Sequence, residues 1–114
     1  MSFGIEIKDH DGCPLLQLSG RVRGEGDDKL QETLESMLEK PGDKVIVDLT
    51  TADYIDSHGL GVIIYYHKVL QNHDRKLVLL NGSNDPESYI SRLIEITNLD
   101  KVLKVADTLE EAAG

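Results

Sequence analysis

The sequence has no tryptophan, one phenylalanine and four tyrosines, so aromatic residues fill only 4% of its 114 positions. Any core must therefore be packed from Val, Ile and Leu, and a hydrophobic fraction of 39% suffices for one of modest size. The length is that of a single domain, taken here as residues 1–114. Cys13 is the only cysteine. An internal disulfide and a cysteine-based metal cluster are both excluded, and Cys13 itself reads as a small apolar residue at the start of a strand. Positive charge is also scarce, with 12 Lys and Arg against 21 Asp and Glu, a formal net charge of −9. Such a balance repels nucleic acid and anionic membrane surfaces and steers basic partners inward.

No apolar run approaches the length of a membrane span. The first residues, MSFGIEIKDH, lack a basic segment ahead of an apolar one, so they do not form a signal peptide. The expectation is a soluble cytoplasmic protein that neither enters membranes nor binds nucleic acid. No glycine-rich loop with a lysine follows a strand, and no Gly-x-Ser-x-Gly elbow occurs. His67 and His73 miss the four-residue spacing of a helical ligand pair. No cofactor, metal ion or catalytic residue is expected.

The chain reads as alternating strands and helices. Ile5 and Ile7, the turn Asp9–Gly12, then Leu16 and Leu18 predict an antiparallel hairpin. Gly20–Asp28, rich in glycine and charge, predicts a loop, with Asp28 and Gln31 as the capping box of a helix carrying Leu30, Leu34, Met37 and Leu38. Val45–Leu49 and Leu77–Leu80 read as central strands buried on both faces, joined by a crossover helix from about His58 to Asn72. Asp85-Pro86-Glu87 predicts the start of another helix, Val102–Val105 a short edge strand, and Thr108 the start of a terminal helix. The sum is an α/β domain: a mixed sheet of four to five strands, largely parallel in its centre, flanked by about four helices.

The segment VIVDLTTADYIDSHGLGVIIYY, Val45–Tyr66, carries the functional question. The strand is expected to end near Leu49, and the loop Thr50–Asp56 leads to Ser57 at a helix start. That serine invites three readings: a nucleophile, a modification site, or a helix cap. Nucleophilic catalysis needs a base within reach, and His58, adjacent in sequence, diverges from Ser57 at a helix start. Capping alone accounts for one of Asp56 and Ser57 but not both, and it leaves Gly59 and Gly61 in the first helical turn unexplained. Each glycine costs about 1 kcal/mol relative to alanine there, which makes sense if another group approaches closely. Leu60, Ile63, Ile64, His67 and Leu70 form a core-facing stripe. Val62, Tyr65, Tyr66 and Val69 form a second one, facing either a partner or the rim of the core.

The stretch VIVDLTTADYIDSHGLG resembles the STAS family, named for sulfate transporters and anti-sigma factor antagonists, in which a strand ending in Val-Asp-Leu leads through Asp-Ser-x-Gly into a helix. Leu18-Ser19-Gly20 is similar to the family's early strand end, and Arg92–Ala112 to its C-terminal region. The resemblance implies the anti-sigma factor antagonist branch. There, the serine at the position of Ser57 is phosphorylated by a partner that is both anti-sigma factor and serine kinase. The unphosphorylated form binds that partner and frees a sigma factor, and a serine phosphatase resets the cycle. Phosphate would add about −1.5 to −2 charges to the docking surface. The residues expected to meet the partner are Asp53, Asp56, His58, Gly59, Gly61, Val62, Tyr65 and Tyr66, and the protein is expected to be a monomer or weak homodimer. Two positions depart from the family pattern: His58 replaces a small residue, and Arg23 stands where an aspartate is common. The alternative is a STAS scaffold or regulatory subunit of a transporter or multiprotein signalling complex that works without phosphorylation.

Overall fold

The computed structural model describes residues 3–82 and 85–114. Its strands are β1 (Phe3–His10), β2 (Cys13–Val22), β3 (Lys44–Ile55), β4 (Lys76–Leu80) and β5 (Lys104–Ala106). The helices are α1 (Glu25–Met37), α2 (Ser57–Gln71), α3 (Tyr89–Thr97) and α4 (Leu109–Ala113), with a 3-10 turn at Leu99–Lys101. The sheet order is β1-β2-β3-β4-β5. β1 pairs antiparallel with β2, and every later pairing is parallel. Each parallel step is bridged by a helix, as parallel pairing requires.

Alternation along the strands sorts the core into two layers. Leu16, Leu18, Val45, Val47, Leu77 and Leu79 pack with residues of α1, α2 and α3 on one face. Leu15, Ile46, Val78 and Leu80 face the other way, toward Ala112 of α4. Aliphatic side chains dominate both layers, in keeping with the lack of large aromatics.

Several boundaries differ from those the sequence suggests, and two of the differences shape the functional corner. β3 does not stop at Leu49. Its polar half, Thr50–Ile55, continues as strand because β2 continues beside it, pairing Ser19 with Thr51, Gly20 with Ala52, Arg21 with Tyr54 and Val22 with Ile55. The hydrophobic pattern ends at Leu49 while the hydrogen-bond ladder does not, so Thr50–Asp56 is no loop. For the same reason Gly20–Val22 belongs to β2, and only Arg23 and Gly24 separate it from α1. Gly24, with φ 58° and ψ −117°, precedes α1 without a side-chain cap, which moves the helix start ahead of the predicted Asp28. At α3 the cap is Ser88, whose hydroxyl accepts the Ser91 N–H, while Asp85 Oδ1 accepts the Glu87 N–H in the preceding turn. Thr108 does cap α4, accepting the Glu111 N–H at 3.2 Å.

Candidate functional site

The C-terminal end of β3 delivers the chain directly into α2. Asp56 is the N-cap: its backbone is extended, and its Oδ1 accepts the Gly59 N–H at 2.8 Å, satisfying one of the donors that a helix start leaves open. Ser57 is therefore the first residue of α2, and both it and His58 are exposed. Among the described residues the Ser57 hydroxyl makes no hydrogen bond. The cap is the aspartate alone, so the serine side chain is left to solvent.

The corner is held from several sides. The Asp56 N–H donates to the Val22 carbonyl at 3.2 Å, tying α2's start to the end of β2. The Tyr89 hydroxyl donates to the Ile55 carbonyl at 3.0 Å. Burial, with Tyr54 close by, pushes the Tyr89 phenol above its ordinary range. The Tyr89 and Tyr54 rings are 4.9 Å apart, and the Arg21 guanidinium lies 4.9 Å from the centre of the Tyr54 ring. Arg21, Tyr54 and Tyr89 thus brace the site, and none was singled out from the sequence. A tyrosine alternating with polar residues before an Asp-Ser step is the available signal, and reading Thr50–Asp56 as a loop hides it.

The two glycines of α2 have different reasons. A side chain at Gly59 would place its Cβ 2.6 Å from Asp27 Oδ1 and 2.9 Å from Ile55 Cγ1, so α1 and β3 leave no room for one. At Gly61 nothing lies within 4 Å. Gly59→Ala is therefore expected to destabilise the protein by about 1–3 kcal/mol through overpacking. Gly61→Ala is expected to stabilise it by up to about 1 kcal/mol through helix propensity. Urea unfolding of the two variants checks both signs.

The second stripe of α2 divides. Tyr65 is 60% exposed, whereas Tyr66 and Val62 are 3% and 8% exposed and belong to the core beside α1. The Tyr66 hydroxyl does not reach water as a rim tyrosine would. It donates to Glu35 Oε1 at 2.7 Å, and burial together with that carboxylate pushes its pKa up to about 12. Between α1 and α2, Gln31, His58, Gly61, Val62, Tyr65 and Tyr66 line a groove of about 360 Å³. It adjoins a second hollow of about 460 Å³ walled by Asp28, Glu32 and Glu35, with Gln31 and Tyr66 common to both. An apolar floor beside an acidic wall thus runs away from Ser57.

Of the residues singled out from the sequence, Asp56, Ser57, His58, Gly61 and Tyr65 gather at this corner and its groove. Asp53 is exposed near the end of β3 and lines a separate hollow with Thr50, Asn81 and Tyr89. Gly59, Val62 and Tyr66 lie beneath the surface. Arg23 is exposed in the turn after Val22, the residue whose carbonyl holds Asp56.

A family model of the STAS domain matches residues 4–112. The chain belongs to the STAS domain family. Among curated relatives it is similar to the anti-sigma-B factor antagonist of Listeria monocytogenes, 32% identical over 115 residues that cover 100% of this chain and 97% of the relative. Among solved structures, this STAS fold is similar to an anti-sigma factor antagonist from Mycobacterium paratuberculosis. There the TM-score is 0.83 at 21% identity, covering 98% of this chain and 92% of that one. It is also similar to the Bacillus cell fate determinant SpoIIAA in its phosphorylated form, with a TM-score of 0.69 at 16% identity over 96% of each chain. At such identities the two structures speak for the STAS architecture alone. Among the described residues of this STAS chain no helix is long and apolar enough to cross a membrane.

Proposed function

We propose that the chain is an anti-sigma factor antagonist switched at Ser57. Unphosphorylated, it holds an anti-sigma factor that is also a serine kinase, and a sigma factor is released. Phosphorylation ends that hold, a serine phosphatase restores it, and the cycle runs in the cytoplasm. The observation that carries this reading is the Ser57 hydroxyl: exposed, free of the capping task, and fixed at the leading end of α2 beside an open groove. The names of its STAS relatives support the antagonist part of this reading.

The chemistry balances simply. Ser57 Oγ bonds to the γ-phosphorus of ATP as the bond to the bridging β–γ oxygen breaks, ADP leaves, and the hydroxyl proton passes to a base of the kinase. The phosphatase directs water onto the same phosphorus, releasing inorganic phosphate and a re-protonated serine. Within the free protein the helix N-terminus tolerates the new charge. In the complex the dianion sits beside Asp56 and against a surface fitted to a neutral hydroxyl. The partner meets Asp53, Asp56, His58, Gly61 and Tyr65 directly, while Gly59, Val62 and Tyr66 shape that surface from below. The acidic wall of α1 suits a partner whose facing surface is basic.

One observation favours a second reading, a STAS scaffold that works without phosphorylation: Arg23 places a cation at this corner where an acid is common in the family. Incubation with ATP and candidate serine kinases, any co-encoded one included, followed by mass spectrometric mapping, tests the choice. Phosphate on Ser57, absent from Ser57→Ala, is expected. An unlabelled Ser57 with an active kinase overturns the switch and leaves the scaffold.

A further inference from the structure

On the inner side of the α2 cap, opposite the exposed serine, α1 presents Asp27. It is 3% exposed, and its Oδ1 is buried without a hydrogen-bond partner. A carboxylate so placed is strongly disfavoured unless it is paired with a cation or holds a proton. Among the described residues it makes no ion pair. What faces it is a second carboxylate, that of Asp56, close enough for a hydrogen bond between the two side chains. Both converge on Gly59: its absent Cβ would lie 2.6 Å from Asp27 Oδ1 and 3.3 Å from Asp56 Oδ1. Two carboxyl groups can hydrogen-bond only if one of them is protonated.

We propose that Asp27 and Asp56 share one proton behind the Ser57 corner, and that negative charge placed on Ser57 tightens their hold on it, so that phosphorylation and proton uptake are linked. Part of this rests on Ser57 being the phosphoacceptor; the shared proton does not. With the proton in place, Asp27 donates to Asp56 while Asp56 Oδ1 keeps the Gly59 N–H, and the cap stays intact.

The groups that act on Asp27 are few. Burial and then Asp56, from the β3–α2 junction, push its carboxyl up to about 6, against an opposing pull from His58 on α2 and from the backbone of Gly24, just ahead of α1. A phosphoryl group on the residue after Asp56 adds up to two like charges. Like charge raises the affinity of a carboxyl for its proton. By linkage the effect is reciprocal, and mild acidification stabilises the phosphorylated form relative to the free one. Because the folded protein holds this proton more tightly than the unfolded chain, the pair's contribution to stability is complete below about pH 4, the ordinary aspartate range, and is lost as pH rises through about 6.

Carboxyl-carbon NMR titration of the full chain tests both parts. In the unmodified protein a titration step near pH 6 is expected, absent from Asp27→Asn. Phosphorylation by the kinase is expected to move the step upward by about one unit, a tenfold gain in proton affinity, and Ser57→Asp by about half as much. A wild-type protein without a step above pH 5 overturns the shared proton, whatever happens at Ser57. A step near 6 that neither phosphate nor Ser57→Asp displaces overturns the linkage. Failure of the kinase to label Ser57 overturns the phosphorylation switch itself, while the Ser57→Asp arm still decides whether charge at that position governs the pair.

Discussion

Replacing Tyr66 with aspartate is expected to lower stability by about 4 kcal/mol and the thermal midpoint by well over 10 °C, while the same change at Tyr65 moves the midpoint by no more than about 2 °C. The two residues are neighbours in sequence, and their rings touch edge to face with centroids 5.0 Å apart. Their surroundings differ completely. Tyr66 is 3% exposed and anchored on Glu35, so its loss opens a cavity between α1 and α2 and leaves a carboxylate facing a carboxylate. Tyr65 is 60% exposed and has little burial to lose. Binding is expected to reverse the order of interest. Tyr65→Asp should weaken the complex with the anti-sigma partner in a fully folded protein, which separates the contact surface from its support. Differential scanning calorimetry and a binding isotherm on each variant check both halves. A large fall in midpoint for Tyr65→Asp would remove it from the docking surface.

The division between the tyrosines marks where sequence reading stops. Spacing placed Val62, Tyr65, Tyr66 and Val69 on one stripe, which holds geometrically, but a stripe's fate depends on what packs against it. Here α1 covers half of it, and nothing in α2 itself reports where α1 lies. The strand assignments fared likewise. Hydrophobic runs located β3 and β4 because their buried halves are continuous Val, Ile and Leu. The polar half of β3 escaped because its register is set by β2, two elements earlier in the chain. Asp28 looked like a cap because its type and spacing fit, yet Gly24 starts the helix sooner through backbone geometry. Asp27, one residue from that predicted cap, carries no sequence signal that sets it apart from its acidic neighbours. Its burial exists only because α1 lies across the start of α2. By contrast, the STAS signature around the Asp-Ser-x-Gly step was legible, since it is local to one strand end and one helix start.

Ser57→Asp is expected to reduce affinity for the anti-sigma partner by about tenfold to a hundredfold, and authentic phosphoserine by more than about a hundredfold. The difference follows from charge: aspartate brings one negative charge on a short arm, phosphoserine up to two and a larger volume. Ser57→Ala should bind about as well as the unmodified protein and should not respond to the kinase. The effect belongs to the interface and not to folding, because Ser57 is exposed and contributes no cap. Isothermal titration calorimetry against the partner, beside thermal unfolding of the free variants, tests this. Ser57→Asp binding with undiminished affinity would exclude electrostatic repulsion as the means of release.

The corner that bears Ser57 is the end of a paired strand, with the Asp56 N–H on Val22, the Tyr89 hydroxyl on Ile55 and the Gly59 N–H on Asp56. A group mounted this way needs no search through loop conformations before an enzyme can engage it. The ordering entropy was spent when the chain folded. In the switch proposed for Ser57, response time then has no refolding step in it: its tempo is left to phosphoryl transfer, to hydrolysis and to the lifetime of the bound pair.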